Sequence, residues 1–201
     1  GYVTLDKPKS LNVLDEQMIA GLKSTLEAWQ SAPEIVMVLI DGSGETAFCA
    51  GGDIVAMYHV MQGADGSNVQ HQHVLQSFFT QEYQLDYLIH TFTKPILIWG
   101  NGLVMGGGLG LMSGASHKVV TENSRLAMPE ISIGLYPDAG GSYFLNKMPA
   151  GCGLLLGLTA LSLNAADALY TGMADYFIPQ QSKSKLIENL INTQWLGQNT
   201  A

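Results

Sequence analysis

Pro95-Ile96-Leu97-Ile98-Trp99 leads into Met105-Gly106-Gly107-Gly108-Leu109-Gly110-Leu111, and Met128-Pro129-Glu130 and Pro137-Asp138-Ala139-Gly140-Gly141 follow downstream. The first run is apolar at every position, the pattern of a strand buried on both faces. Three consecutive glycines after such a strand let the main chain approach a ligand closely and leave N–H groups that no side chain shields. A helix starting there adds the positive end of its dipole. That combination suits an oxyanion, although the same glycines would also serve a tight turn or close packing. Glu130 follows Pro129 and Asp138 follows Pro137, so both carboxylates are expected beside rigid turns and not within long solvent-facing helices.

A second glycine turn lies upstream, in Ala47-Phe48-Cys49-Ala50-Gly51-Gly52-Asp53, directly before a segment expected to be helical through Met57. Each turn can offer one backbone N–H. Two such donors converging on one oxygen are what carbonyl addition or enolisation requires, each worth about 2.7–4 kcal/mol in the transition state.

Outward from this centre the chain reads as strands alternating with helices, which favours an α/β architecture. Tyr2–Leu5 alternates like a strand. Asn12 is expected to cap a helix over 14–29, with Leu14, Met18, Leu22, Leu26 and Trp29 as its buried stripe. Residues 34–40 read as a buried strand ended by Asp41-Gly42-Ser43-Gly44, and residues 62–73 as a polar loop in which His71 and His73 are solvated and bind no metal. Residues 74–90 read as a helix on which Phe78, Leu85 and Leu88 suit burial and Glu82, taken alone, suits a solvated face. Short strands are expected over 118–121, 125–127 and 174–178, and helices over 140–148, 154–158, 165–170 and 183–195. No exact internal repeat is present.

At 201 residues, 47% hydrophobic and 13% charged, the chain can bury a sizeable core and is not disordered. A net charge of -8 without a Lys/Arg cluster argues against a nucleic-acid surface. Residues 95–116 carry no formal charge, but seven of them are glycine, which favours a buried strand, turn and helix over a membrane span. Cys49 and Cys152 are too few for a disulfide framework and have no CxxC spacing, which fits a reducing compartment or simple buried thiols. The absence of an initiator methionine and of a leader-like segment suggests a cropped start.

With these residues in view, the chain resembles the crotonase superfamily, also called the enoyl-CoA hydratase/isomerase family, and most of all its members that hydrolyse 3-hydroxyisobutyryl-CoA. The likeness begins at Leu5-Asp6-Lys7-Pro8-Lys9-Ser10-Leu11-Asn12 and passes through the Cys49–Ile54 turn and Phe78-Phe79-Thr80-Gln81-Glu82-Tyr83. It is most specific in Met105–Gly110, Ala127–Glu130, Ile133-Gly134-Leu135-Tyr136-Pro137-Asp138 and Gly140–Leu145. The resemblance implies a spiral of repeated ββα units over residues 1–180, with 181–201 beginning a C-terminal helical region largely absent from this chain. It implies an oxyanion hole from the N–H groups of Gly52 and Gly107, catalysis by Glu130 and Asp138, and substrate contacts from Glu82, Gly107, Glu130 and Asp138. Hydratases of the family carry a further glutamate where this chain has Gly110, which puts simple water addition across a double bond in doubt.

The expected activity is therefore hydrolysis of a short branched 3-hydroxyacyl-CoA thioester, with enoyl-CoA hydration or isomerisation as the alternative and a non-catalytic assembly subunit as a third reading. No separate cofactor is expected, since CoA is part of the substrate, nor a metal, a nucleic acid or a membrane partner. Self-association through the C-terminal region is left open. Lys7 and Lys9 could neighbour CoA phosphates or be simply solvated. The expected compartment is the cytoplasm for a bacterial source and the mitochondrial matrix for a eukaryotic one.

Overall fold

A computed structural model describes residues 1–62 and 69–195. In chain order the elements are β1 (Tyr2–Leu5), α1 (Glu16–Ser31), β2 (Val38–Gly42), β3 (Ala47–Cys49), α2 (Ile54–Gln62), α3 (Val69–His90), β4 (Ile96–Gly100), β5 (Leu103–Met105) and α4 (Gly107–Gly114). They continue with β6 (His117–Val120), β7 (Arg125–Ala127), α5 (Gly141–Phe144), α6 (Cys152–Thr159), α7 (Ala165–Thr171), β8 (Tyr176–Phe177) and α8 (Lys183–Asn192). A 3-10 turn spans Glu130–Ile133.

Strands of successive units go alternately to two sheets. One is five-stranded in the order β1-β2-β4-β6-β8, the other three-stranded in the order β3-β5-β7, and all their strand pairings are parallel. Each of the pairs β2/β3, β4/β5 and β6/β7 sends one strand to each sheet, and helices follow the first two pairs. This is the ββα spiral that the resemblance implied, formed without any exact repeat in the sequence.

In the larger sheet the period of two along a strand sorts side chains between faces. Val38, Ile40, Ile96 and Ile98 enter the main core with Ile19, Leu22 and Leu26 of α1, and with Leu85, Ile89, Leu111 and Met112 from α3 and α4. Leu39, Leu97, Trp99 and Val119 point the other way and are covered by Leu186, Ile187 and Leu190 of α8. Burial on both faces is why these strands read as continuous apolar runs.

Several boundaries differ from expectation for identifiable reasons. Asn12 does not cap α1: it is fully buried with φ 54°, and its amide donates to the carbonyls of Ser43 (3.0 Å) and Ala47 (2.9 Å). Asp15 takes the cap, accepting from the Met18 N–H at 2.8 Å. Leu14 lies ahead of the helix, bridged to Gly52, while Ile19, Leu22 and Leu26 form the buried stripe. The second strand starts only at Val38, because β1 and β4 offer ladder partners from that point on. Helix α3 begins at Val69, so His71 and His73 lie on a helix where a loop was expected, and the remainder of that loop, residues 63–68, falls outside the described residues.

Candidate active site

The site is built at one end of the three-stranded sheet. Because β3, β5 and β7 are parallel neighbours, with Cys49 opposite Val104 and Met105 opposite Ala127, the segments that leave their C-terminal ends emerge side by side. These segments are Ala50-Gly51-Gly52, Gly106-Gly107 and Met128-Pro129-Glu130. Ligands in parallel α/β sheets commonly bind outside such carboxyl ends.

Glycine is required where these turns meet. Gly51 (φ 100°) would place a Cβ 3.1 Å from the Met105 carbonyl oxygen and 3.6 Å from the Gly107 nitrogen. Gly106 (φ 51°) caps α4, and a Cβ there would lie 2.9 Å from Glu130 Oε1. Gly107 is the first residue of α4, where N–H groups lack intrahelical acceptors, and a Cβ on it would run into the Glu82 carboxyl. Among the described residues neither the Gly52 nor the Gly107 N–H donates a hydrogen bond.

A cavity of about 170 Å³ opens over these turns. Gly52, Glu82, Gly107, Glu130 and Asp138 all line it, so the five residues singled out from the sequence converge on one space. Its remaining wall is largely apolar, with Ile54, Met57, Phe79, Ile133 and Leu135. Glu82 arrives from α3 on the stripe Phe78, Glu82, Leu85 and Ile89, all buried; at 2% exposure it is not on a solvated helix face. Glu130 sits in the 3-10 turn after β7 at 7% exposure, its Oε2 without a hydrogen-bond partner. Asp138 is half-buried and accepts a hydrogen bond from the Tyr83 hydroxyl at 2.6 Å.

Glu82 and Glu130, buried beside one another and facing Asp138, both resist ionisation. Burial, then the charges of Asp138 and Glu130, push Glu82 up to about 8. Burial pushes Glu130 up to about 7, opposed by a backbone hydrogen bond and assisted by Asp138. Tyr83 is also raised, by burial and by its bond to Asp138. Near neutral pH the cluster therefore offers both a protonated acid and a group ready to act as base or nucleophile, an arrangement suited to proton transfer at a polarised carbonyl.

Two neighbours were missed from the sequence. Tyr83 orients Asp138, and Asp86 lies one turn beyond Glu82 with both carboxyl oxygens buried and unpartnered. The available signal was position: residues 82, 83 and 86 share a helix whose buried stripe already contains one acid. Lys7 pairs with Asp15 at the start of α1 and does not line the cavity. Cys49 is fully buried, and burial pushes its thiol up to about 12, which suits an inert packing thiol. Among the described residues no three of His, Cys, Asp and Glu are grouped to hold a metal ion, and no helix is long and apolar enough to cross a membrane.

The full chain, residues 1–201, matches the family described as enoyl-CoA hydratase/isomerase. It is 39% identical over 191 residues to a protein named 3-hydroxyisobutyryl-CoA hydrolase, mitochondrial, from Xenopus tropicalis, covering 95% of this chain and 48% of that protein. The human protein of the same name is 37% identical over 191 residues with the same coverage. The chain thus spans about half the length of the curated relatives it matches. Among solved structures it superposes on an enoyl-CoA hydratase from Rhodobacter sphaeroides with a TM-score of 0.87 and 38% identity, covering 93% of this chain and 54% of that one. A carnitinyl-CoA dehydratase from Mycobacterium thermoresistibile gives 0.86 and 36%, covering 94% and 54%. With the spiral of ββα units, the paired glycine turns and the match over its full length, the chain belongs to the enoyl-CoA hydratase/isomerase family and has the crotonase fold.

Proposed function

We propose that the protein containing this chain hydrolyses a short branched 3-hydroxyacyl-CoA thioester to the free acid and CoA. The observation that carries this reading is the convergence of Glu130 and Asp138 on one cavity with Gly52 and Gly107, while Gly110 supplies no side chain for a second acid–base group. Curated relatives named as hydrolases support it. No cofactor beyond the CoA of the substrate enters the reading.

In this reading the N–H groups of Gly52 and Gly107 hold the thioester oxygen as negative charge develops on it. Glu130 acts on the carbonyl carbon, either as nucleophile through a transient anhydride or as base for a water molecule. Asp138, oriented by Tyr83, positions the reacting group and assists proton transfer to the leaving thiolate. Glu82, neutral at physiological pH, lies against Gly107 and can contact substrate without adding like charge. The compartment in this reading is the mitochondrial matrix for a eukaryotic source and the cytoplasm for a bacterial one.

Hydration of an enoyl-CoA is the second reading, favoured by the superposition on an enoyl-CoA hydratase and a carnitinyl-CoA dehydratase. Free-thiol release measured beside loss of the enoyl ultraviolet chromophore separates the two. Thiol release from 3-hydroxyisobutyryl-CoA is expected, and an active enzyme that consumes the chromophore but frees no CoA overturns the hydrolase reading. Single turnover in heavy-oxygen water, with hydroxylamine trapping beside it, then divides the two routes: label in Glu130 or a trapped Glu130 hydroxamate supports the anhydride, and label only in the product acid with no Glu130 adduct supports direct attack by water, since water can open an anhydride at either carbonyl.

A further inference from the structure

Asp86 is a half-buried acid with a shielded carboxyl that the reading above leaves without a role. It lies on α3 with both carboxyl oxygens shielded from solvent and no hydrogen-bond partner among the described residues. An isolated buried carboxylate is costly, and burial, then the charges of Glu82 and Asp138, raise the group well above the usual aspartate value, which favours its neutral form. A neutral acid carries an O–H, and a buried donor without an acceptor is itself destabilising and calls for an explanation in the molecule's action.

The surroundings point to the acceptor. Tyr83 lies three residues earlier on the same helix, hence on the same face, and its hydroxyl already donates to Asp138 Oδ2 at 2.6 Å. Asp86 Oδ1 and the Cβ of Ala139, the residue after Asp138, are 3.2 and 2.6 Å from the point where Gly110 would carry a side chain. Gly110 thus leaves the space in which α3 meets the Asp138 turn. Ala139 holds φ 42°, a left-handed conformation uncommon for alanine, and Gly140 follows at φ 83°. The turn that carries Asp138 is therefore strained at Ala139.

We propose that Asp86 is a positioning residue for Asp138, donating a second hydrogen bond beside that of Tyr83 when the Asp138–Gly140 turn settles over bound substrate. Two donors from one helix fix both oxygens of Asp138, and with them the direction of its remaining lone pairs. The proposal rests on the catalytic role given to Asp138 above. The titratable groups facing Asp86 are Glu82, Tyr83, Tyr87 and His90 on α3, Asp138 on the turn, Tyr143 on α5 and Cys49 on β3. Of these, Asp138 is the carboxylate already held by a donor from the same helix face.

The test compares Asp86→Leu, which removes the donor, with Asp86→Asn, which keeps one but cannot ionise, both in the whole protein. Asp86→Leu is expected to raise Tm at pH 7, because it removes an unpaired buried acid, and to lower kcat about tenfold or more with little change in KM. The gain in Tm should shrink as pH falls toward 3.8, the usual aspartate value, since the raised group costs stability only once the unfolded chain loses its proton. Asp86→Asn, which keeps a donor, is expected to recover most of the lost kcat. An Asp86→Leu enzyme with native kcat across the pH range overturns the proposal. If that variant does not fold, an Asp86→Ala enzyme with native kcat does so instead. Each ratio is read on whichever reaction the native enzyme catalyses, thiol release or hydration, so failure of the hydrolase reading and failure of this proposal give different results.

Discussion

Asp41 and Glu82 are equally buried, each 2% exposed, yet the chain keeps them in opposite ways. Asp41, in β2, accepts a hydrogen bond from the Tyr2 hydroxyl at 2.7 Å and forms an ion pair with Lys183, the first residue of α8. The phenol takes the strain of that arrangement, pushed up to about 12 by burial and by its bond to the carboxylate. Glu82 has no cation beside it among the described residues; its neighbours in charge are Asp138 and Glu130, and it is kept by a proton. A buried acid given a counter-charge fastens two elements together. One given only other acids becomes a group whose protonation changes near neutral pH, which suits chemistry better than it suits stability.

The largest effect expected from breaking this contrast is at the acid end of the site. Glu130→Gln should lower thiol release by about 10³-fold or more while leaving Tm close to native, because it removes the group assigned to attack or deprotonate. A loss under tenfold would return Glu130 to the class of buried structural acids. Gly107→Ala comes next, with about a 10²- to 10³-fold loss in kcat from a tilted or crowded donor. Its Cβ would also displace the Glu82 carboxyl, so Gly107→Ala paired with Glu82→Ala, which removes the carboxyl, separates the two causes. If the double variant recovers activity, crowding of Glu82 was the injury and the N–H was intact.

At the structural end, Lys183→Met should destabilise the fold by about 2–3 kcal/mol, below the cost of breaking a fully buried pair because the lysine is 21% exposed. Per-site turnover at low temperature should be native, and denaturant titration beside the activity assay checks both halves. Lost activity without lost stability would show that the two acid regions are not independent. The smallest effect belongs to Glu82→Gln at pH 7, where the native side chain is already largely neutral: less than about a tenfold loss in kcat/KM. In the native enzyme kcat/KM should rise with pH through about 7 as Glu130 gives up its proton. An acid limb near the usual carboxylate range would mean that burial does not govern Glu130.

The contrast between these acids was only partly legible in the sequence. Glu130 and Asp138 could be singled out because prolines precede them and because the family motif runs through both. Glu82 taken alone looked solvated, since glutamate usually is; its place at 82 in the series 78, 82, 85, 89 was the local sign of burial, and Leu88 in place of Ile89 in the expected stripe hid it. Asn12 looked like a cap for the same kind of reason. Its true task, clamping the Ser43 and Ala47 carbonyls, depends on a segment more than thirty residues away. The spiral itself had no repeat to announce it, because strands buried on both faces share only apolar character. What no local pattern could supply was convergence: which strand ends lie side by side is decided by pairing across the chain.

That order of pairing has a consequence for how the protein comes into being. The glycine turn after β3, the one after β5 and the proline turn after β7 belong to three successive windings of the spiral, and the middle strand must be in place before the outer two have anything to pair with. Parallel pairing of this kind closes long loops and is slow. A nascent or refolding chain can therefore bury much of its core and bring the two glycine turns and Glu82 together with the first windings while Glu130 and Asp138 are still missing from the site. Chemical competence arrives in a single late event, the docking of the third winding on the second.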